Sequence, residues 1–265
     1  MADEPLSWHY GLMAERWAEF LTDAPELPFF KKTIARFGQP VLDLACGAGR
    51  LLLPLLRAGI DIDGCDISGD MLEQCRKKAA SEGYKPQLYT QPMHSFDLPR
   101  RYKTIYICGS FGLGGSRAQD LAALQRCYHH LQDGGGLVVN IEAEYTSPES
   151  WDLWLKENRQ KLPLPWSEAG RGDLAADGSE HFASFRLVEV DPLEQSFTRQ
   201  VHLEKWLNGQ LAAAEEYTLR GNMYFKNELL LMLQVAGFRE ITVQGDYKDE
   251  PATAEHDELV FTAIR

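Results

Sequence analysis

Short apolar runs alternate with helical segments along residues 40–145, and this alternation constrains the fold more than any other feature of the chain. The first run covers 41–46 and ends at Gly47-Ala48-Gly49. Such a run is typical of a strand buried on both faces. Strands that alternate with helices form βαβ units with right-handed crossovers. The sequence therefore predicts a doubly wound, mostly parallel sheet, with further strands over the following ranges: 60–67, 87–91, 104–108, 137–141, 239–244 and 259–264.

Residues 146–222 interrupt this pattern, and several of their apolar positions alternate with period two. Asn208-Gly209 lies between two such runs and is a strong hairpin signal, whereas 167–180 is predicted to be a mobile loop. We therefore predict three parts. They are a helical cap (1–39), an α/β core (40–145 and 223–265) and an inserted antiparallel subdomain (146–222).

Two motifs at strand ends carry candidate binding chemistry. Glycines at 47 and 49 let the backbone approach a ligand closely, and the helix that follows presents free amides. Position 52 is Leu, whereas a dinucleotide fingerprint has a third glycine there. Asp66 ends the second strand, 17 residues after Gly49, where a carboxylate can bind both hydroxyls of a ribose. Each feature alone also fits a simpler structural role, as a tight turn or a helix cap.

Together with later segments, these motifs resemble class I S-adenosylmethionine-dependent methyltransferases of the small-molecule type. The similar segments are Val-Leu-Asp-Leu-Ala-Cys-Gly-Ala-Gly-Arg (41–50), Cys-Asp-Ile-Ser-Gly-Asp-Met-Leu (65–72), Gln-Pro-Met (91–93), Tyr-Ile-Cys-Gly-Ser-Phe (106–111), Leu-Gln-Asp-Gly-Gly-Gly-Leu-Val-Val (131–139) and Leu-Gln-Val-Ala-Gly-Phe (233–238). The resemblance covers about 40–145 and 223–265. It implies a Rossmann-like seven-stranded sheet whose last strand is antiparallel.

The resemblance also implies a binding site for S-adenosyl-L-methionine, the methyl donor. In this sequence the matching residues are Tyr10, Asp43, Ala45, Gly47, Gly49, Asp66, Ile67, Met71, Met93 and Cys108. Asp43 would reach the donor's amino group, Asp66 the ribose and Ile67 the adenine. Cys108 would lie beneath the sulfonium, and Tyr10 would bind the donor carboxylate.

One position departs from the family pattern at the adenine end. Many relatives have an Asp just before the position of Met93, and this chain has Pro92 there. A carboxylate that would accept a hydrogen bond from the adenine amino group is therefore missing from this loop.

The acceptor side is expected near the ends of the fourth and fifth strands. Glu142 and Tyr145 are the candidate catalytic residues, with Glu144 as a neighbouring candidate, although a solvated strand end explains either glutamate equally well. A general base is needed only if the acceptor loses a proton. The resemblance implies that the insertion at 146–222 is a lid or substrate subdomain, because relatives build a substrate lid there. Its aromatic residues Trp151, Trp154, Trp206 and Tyr217 are candidates to line the acceptor site.

Charge and sequence motifs restrict the kinds of molecule that the protein can bind. Lys and Arg number 27, and Asp and Glu number 39, which gives a net charge of −12 and argues against nucleic acid. The segment at 108–111 also lacks the Asn/Asp-Pro-Pro-Tyr motif of methyltransferases that act on bases and glutamine. We predict a small-molecule acceptor, with an amine favoured over a hydroxyl, no metal, no membrane association, and a monomer or homodimer.

The cysteine pattern predicts the compartment. Five widely spaced cysteines fit reduced thiols in a cytoplasmic protein rather than disulfides or a zinc site. Two alternatives to a methyltransferase remain at this point. One is a nicotinamide-dependent reductase, and the other is a non-catalytic S-adenosylmethionine-binding partner protein.

Overall fold

The computed structural model describes residues 7–265, so the first six residues of the predicted helical cap lie outside the described part. The strands are β1 (Val41–Leu44), β2 (Ile62–Asp66), β3 (Leu88–Thr90), β4 (Tyr102–Ile107), β5 (Leu131–Glu142), β6 (Asp173–Leu174), β7 (Glu180–Asp191), β8 (Ser196–Leu207), β9 (Gln210–Asn222), β10 (Arg239–Gly245) and β11 (Glu258–Ile264). The helices are α1 (Gly11–Phe20), α2 (Leu27–Phe37), α3 (Leu52–Arg57), α4 (Gly69–Ser81), α5 (Arg117–His130), α6 (Pro148–Asp152), α7 (Lys156–Arg159) and α8 (Lys226–Ala236).

Seven strands form the larger sheet in the order β10-β11-β5-β4-β1-β2-β3. The contacts β1–β2, β1–β4, β2–β3 and β4–β5 are parallel, and β11 is antiparallel to both of its neighbours. The predicted Rossmann-like fold, with an antiparallel last strand, is therefore confirmed. The strand order reverses between β1 and β4, so the crevice for a ligand is expected at their carboxyl ends.

The central strands are buried on both faces, which explains why their sequences lack the alternation of apolar and polar residues typical of a half-exposed strand. All four residues of β1 and all five of β2 are buried. Successive side chains point to opposite faces. Val41 accordingly joins the hydrophobic cluster that includes α2 and α3, while Leu42 joins the cluster that includes α5 and α8.

The fifth strand is longer than the sequence predicts. We expected it over 137–141, with Gly134-Gly135-Gly136 leading into it, but β5 begins at Leu131. Gly136 already pairs with Thr104 of β4, and a Cβ atom on Gly136 would come within 2.5 Å of the Phe37 ring. This glycine therefore lets α2 pack closely on the sheet.

The insertion forms a second, antiparallel sheet in the order β6-β7-β8-β9. The predicted hairpin is present between β8 and β9, where Asn208 and Gly209 both have positive φ angles, of 53° and 73°. The loop predicted over 167–180 is only partly correct, because Asp173 and Leu174 pair with His181 and Glu180 as β6.

Helix α1 connects the two sheets. Its Leu12 and Met13 pack with Trp8 against Val201 and Leu203 of the smaller sheet. The backbone N–H of Leu12 also donates to Glu215 Oε2 of β9 at 2.8 Å. On the other side, Ala14 and Ala18 pack against Met71 of α4. Through α1, the smaller sheet is held over the carboxyl ends of the parallel strands.

Candidate active site

The turn between β1 and α3 forms the floor of the site. Ala45, Gly47 and Gly49 all have positive φ angles, of 65°, 52° and 84°. A Cβ atom on Gly49 would lie 2.6 Å from the Cys75 sulfur, so this position also needs glycine for packing. The sequence indicated the role of the two glycines, but the left-handed conformation of Ala45 had no sequence signal.

Asp66 fastens this turn to the end of β2. Its Oδ2 accepts the N–H of Gly47 and its Oδ1 accepts the N–H of Ser68, both at 2.8 Å. The carboxylate is buried, and burial raises its pKa although these N–H donors oppose the shift. Each carboxylate oxygen has a further lone pair for a ligand donor. Ser68 also caps α4, since its hydroxyl accepts the N–H of Met71.

Asp43 is a second buried carboxylate at the site. Burial raises its pKa to about 7, while the Tyr106 hydroxyl and the Arg50 guanidinium act in the opposite direction. Within residues 7–265, no cationic side chain comes within 4 Å of its oxygens. Arg50, the nearest candidate, is instead paired with the buried Glu26. Asp43 is therefore placed to meet a cationic group of a ligand.

A cavity of about 450 Å³ opens above these carboxylates. It brings together seven of the ten predicted donor-binding residues, namely Asp43, Ala45, Gly47, Asp66, Met71, Met93 and Cys108. Gly49 lies in the turn below and does not line the cavity. Tyr10 does not line it either, and the neighbouring His9 does.

A recess of about 60 Å³ adjoins this cavity, and Ala45, Asp66 and Met93 line both. The remaining predicted residue, Ile67, lines the recess together with His94 and Asp120 of α5. The sequence did not single out Asp120, because nothing local shows which helix packs against the loop after β3.

Asp120 is buried and only half bonded. Its Oδ2 accepts the Tyr224 hydroxyl at 2.6 Å and the Asn222 side-chain amide at 2.7 Å. Its Oδ1 has no hydrogen-bond donor among residues 7–265. Burial raises the pKa of this carboxyl, against the effect of the two donors. One carboxylate oxygen thus remains for a donor group in the recess.

The segment before α1 and the first turns of α1 cover the cavity. His9 and Trp17 line it and contact each other edge to face, with ring centroids 5.2 Å apart. The Ser68 hydroxyl donates to the carbonyl of His9, which ties this segment to the N-terminal end of α4. Burial lowers the pKa of His9 to about 4, so its imidazole is neutral at pH 7.

Cys108 lies in the cavity wall and is held in its thiol form. Burial raises its pKa to about 12. Its sulfur lies 3.4 Å from Glu26 Oε1 and from the Tyr247 hydroxyl, and 3.6 Å from Arg50 Nη2. Sequence reasoning missed Glu26 and Tyr247, which reach the site from distant segments.

A second cavity, of about 210 Å³, lies between β5 and the smaller sheet. Trp17, Gly109 and Leu113 line both this cavity and the large one, so the two meet at these residues. Aromatic side chains form much of its wall, namely Trp8, Trp17, Phe111, Phe197 and Tyr224. None of the aromatic residues that we singled out in the insertion is among them: Trp151 and Trp154 stack on each other, and Trp206 donates to Glu204.

The charged side chains of this second cavity are Glu142, Glu144 and Arg199. Burial raises the pKa of Glu144, an effect that Arg199 opposes and Glu142 reinforces. Of our two catalytic candidates, the structure therefore brings Glu142 to the cavity. Tyr145 is 38% exposed and lines neither cavity.

Comparison with known proteins agrees with this geometry. Residues 41–135 match the family model of the methyltransferase domain. A protein of Geobacillus sp. (strain WCH70), named as a methyltransferase, is 23% identical over 241 residues, which are 88% of this chain and 88% of that protein.

Two solved structures show how far the fold extends. One is an S-adenosylmethionine-dependent methyltransferase from Clostridium acetobutylicum (TM-score 0.72, 15% identity, 95% of this chain and 96% of that chain). The other is the sugar N-methyltransferase KedS8 from Streptoalloteichus sp. (TM-score 0.69, 19% identity, 100% and 98%).

Residues 41–135 thus match the methyltransferase domain, and the chain has the fold of solved S-adenosylmethionine-dependent methyltransferases. Both findings support a methyltransferase over the nicotinamide-dependent reductase that the sequence left open.

Residues 7–265 contain neither a group of side chains typical of a metal site nor a helix typical of a membrane span. No three His, Cys, Asp or Glu side chains are grouped so that they could hold a metal ion. No helix in this range has the length and apolar character needed to cross a membrane.

Proposed function

We propose that this enzyme transfers the methyl group of S-adenosylmethionine to an amine of a small molecule. The observation that carries the proposal is the meeting of two unlike cavities at Trp17, Gly109 and Leu113. One is large and contains the family's donor-binding motifs, and the other is smaller and contains two glutamates. A methyl group passed between them would not leave the protein.

The larger cavity suits the donor in volume and in charge. Asp43 has no cationic partner within the described chain and meets the donor's ammonium group. Asp66 accepts hydrogen bonds from the ribose hydroxyls while it holds Gly47 and Ser68 in place. Asp120 takes the position that the missing loop carboxylate leaves open, and its Oδ1 accepts a hydrogen bond from the adenine amino group.

The smaller cavity suits an amine that becomes positively charged. The amine nitrogen attacks the methyl carbon in line with the carbon–sulfur bond, which breaks with its electrons going to sulfur. The nitrogen gains a positive charge, and nearby carboxylates stabilise it. Glu144 is the better placed to take up the extra proton afterwards, because burial raises its pKa toward that of a neutral-pH base.

A sugar amine is one acceptor of this kind. KedS8, a structural neighbour over the whole chain, is a sugar N-methyltransferase. We further propose that residues 146–222 act as the substrate subdomain, since Phe197 and Arg199 of β8 and Leu219 of β9 line the acceptor cavity.

The test is release of S-adenosylhomocysteine across a panel of small amines, alcohols, thiols and carboxylic acids. We expect the best acceptor to be an amine. Glu144→Gln should lower kcat by about ten- to a hundredfold and leave the affinity for S-adenosylhomocysteine unchanged. Glu142→Gln, which keeps Glu144, should have a smaller effect.

Two results would contradict the proposal. A best acceptor that is an alcohol or a carboxylic acid would exclude the amine. Full activity of both glutamine variants would remove the electrostatic role of the carboxylates and leave only the donor site.

A further inference from the structure

An outer groove lies beside the acceptor cavity, on the smaller sheet. It has a volume of about 440 Å³ and is lined mainly by apolar side chains, namely Trp8, Leu164, Pro165, Phe185 and Leu187, together with Ser167, Arg186 and Arg199. Residues 164–167 run along β7, where the N–H of Leu164 donates to the carbonyl of Leu187 at 2.9 Å. The groove is therefore part of the folded sheet and not a gap beside a loose loop.

The groove and the acceptor cavity share two residues, Trp8 and Arg199. The Trp8 ring contacts Phe185 in the groove edge to face, with centroids 6.3 Å apart. A molecule bound in the cavity and extending past Trp8 and Arg199 would enter the groove. The two spaces thus form one elongated site with a charged junction.

Arg199 is the charged group at this junction, and its guanidinium makes no hydrogen bond or ion pair with a described side chain or carbonyl of residues 7–148 and 150–265. Its Cζ lies 4.7 Å from the centroid of the Phe197 ring. Arg199 is paired with Leu187 on β7 and with Leu219 on β9, so it shares their face of the sheet. Arg186 is already engaged, since it donates to Gln200 Oε1 and lies over the Trp166 ring.

Trp8 lines both spaces at this junction. The residue is 9% exposed, and its Nε1 is buried without a hydrogen-bond partner in the described part of the chain. The indole ring therefore offers an apolar surface to both spaces, and Arg199 supplies the charge.

We infer that the acceptor is an amphipathic amine that carries a carboxylate or phosphate group close to its amine. This inference rests on the proposed amine methylation. The amine lies beside Glu142 and Glu144, the anionic group binds Arg199, and an apolar body occupies the outer groove. The order of charges in the protein, acidic inside and basic at the junction, is complementary to this molecule. A guanidinium binds either anion through two parallel hydrogen bonds, so the structure specifies their shared chemistry.

The experiment uses the full chain and matched pairs of primary amines. Each carboxylate-bearing or phosphate-bearing amine is compared with its analogue lacking the anion: phenylalanine with phenethylamine, and 1-amino-2-phenylethylphosphonate with the same phenethylamine. O-phosphoethanolamine and ethanolamine form a pair without an apolar body. Comparison of phenylalanine with 1-amino-2-phenylethylphosphonate shows which of the two anionic groups the enzyme prefers. We expect kcat/KM of the better anionic member to exceed that of its neutral partner by about tenfold or more.

Arg199→Gln should remove this preference. It should lower kcat/KM of the anionic member by about ten- to a hundredfold and that of the neutral partner by less than about twofold. Arg220→Gln is the matched control, since Arg220 is an exposed arginine on the neighbouring strand whose side chain points to the opposite face. Leu187→Asn should raise KM only for acceptors that have an apolar body.

Three results would overturn the inference. A best acceptor without an anionic group would do so while leaving amine methylation intact. If Arg199→Gln slowed methylation of the anionic and the neutral amine equally, Arg199 would act through Glu144 and would not bind the anionic group. Methylation of no amine, with S-adenosylhomocysteine still bound, would contradict the amine acceptor and this inference together.

Discussion

Asp43 makes donor binding dependent on pH. In the free protein its pKa is about 7 because the carboxyl is buried. The ammonium group of the donor favours the ionised carboxylate, so binding lowers this pKa. Affinity for S-adenosylhomocysteine should therefore be highest near pH 7.5 and fall by about tenfold or more by pH 5.5, as Asp43 becomes protonated. Calorimetric titrations across this range measure the effect.

Asp43→Asn is the control for this pH dependence. The amide cannot ionise, so its affinity should be weak at pH 7.5 and nearly constant down to pH 5.5. His9 does not confuse the measurement, because its pKa of about 4 lies below the range. A wild-type affinity that does not change with pH would show that Asp43 does not meet the ammonium.

Asp120 should determine which base the donor carries. In Asp120→Asn, the remaining oxygen is expected to accept from Tyr224 and Asn222, as Oδ2 does now, which turns the new amide N–H₂ toward the recess. Adenine presents a donor there and hypoxanthine an acceptor. The wild type should prefer S-adenosylhomocysteine over S-inosylhomocysteine by about tenfold or more, and the variant should lose or reverse this preference.

Competition binding with the two nucleosides measures this preference. Asn222→Ala provides a comparison, because it removes a partner of Asp120 but keeps the carboxylate. An unchanged preference in Asp120→Asn would place the adenine amino group elsewhere.

Helix α1 is the element that should respond most to the donor. His9 and Trp17 line the donor cavity, and the N-terminal end of α1 is held by groups from two other elements. The N–H of Gly11 donates to Asp70 of α4, and the N–H of Leu12 donates to Glu215 of β9. Saturation with S-adenosylhomocysteine should slow amide hydrogen exchange over residues 8–17. Helix α8, which is remote from the cavity, should not show this slowing. Equal protection of α8, or none in α1, would contradict this arrangement.

The strands of the core were predictable because the burial of each strand shows in its own amino-acid sequence. Residues 41–44 and 62–66 lack the alternating pattern of a half-exposed strand, since both faces of each strand are covered. The hairpin at Asn208-Gly209 was predictable because few residues accept positive φ angles. The early start of β5 was not, since Gly136 is required by the Phe37 ring, a contact that lies about a hundred residues away in the sequence.

At the scale of the whole molecule, the donor side of the site was more predictable than the acceptor side. Seven of the ten donor residues line one cavity because they lie at the carboxyl ends of β1, β2, β3 and β4 or in the segments that directly follow, and parallel strands place these ends together. Arg199 and Asp120 come from other elements, and their roles depend on how those elements pack. Local sequence does not specify that packing. The division into three parts and the cytoplasmic location stay predictions.

The central claim is that the large cavity binds the methyl donor through Asp66, and a calorimetric titration with S-adenosylhomocysteine tests it most directly. Removing this carboxylate should weaken binding by roughly 1.5–3 kcal/mol, or about ten- to a hundredfold. Asp97→Ala is the matched control, since Asp97 follows the loop after β3 but its side chain is 86% exposed and pairs with Arg126. We predict that Asp66→Ala loses this affinity while Asp97→Ala keeps it. Wild-type affinity in a folded Asp66→Ala protein, or tighter binding of NADH than of S-adenosylhomocysteine by the wild type, would contradict the account.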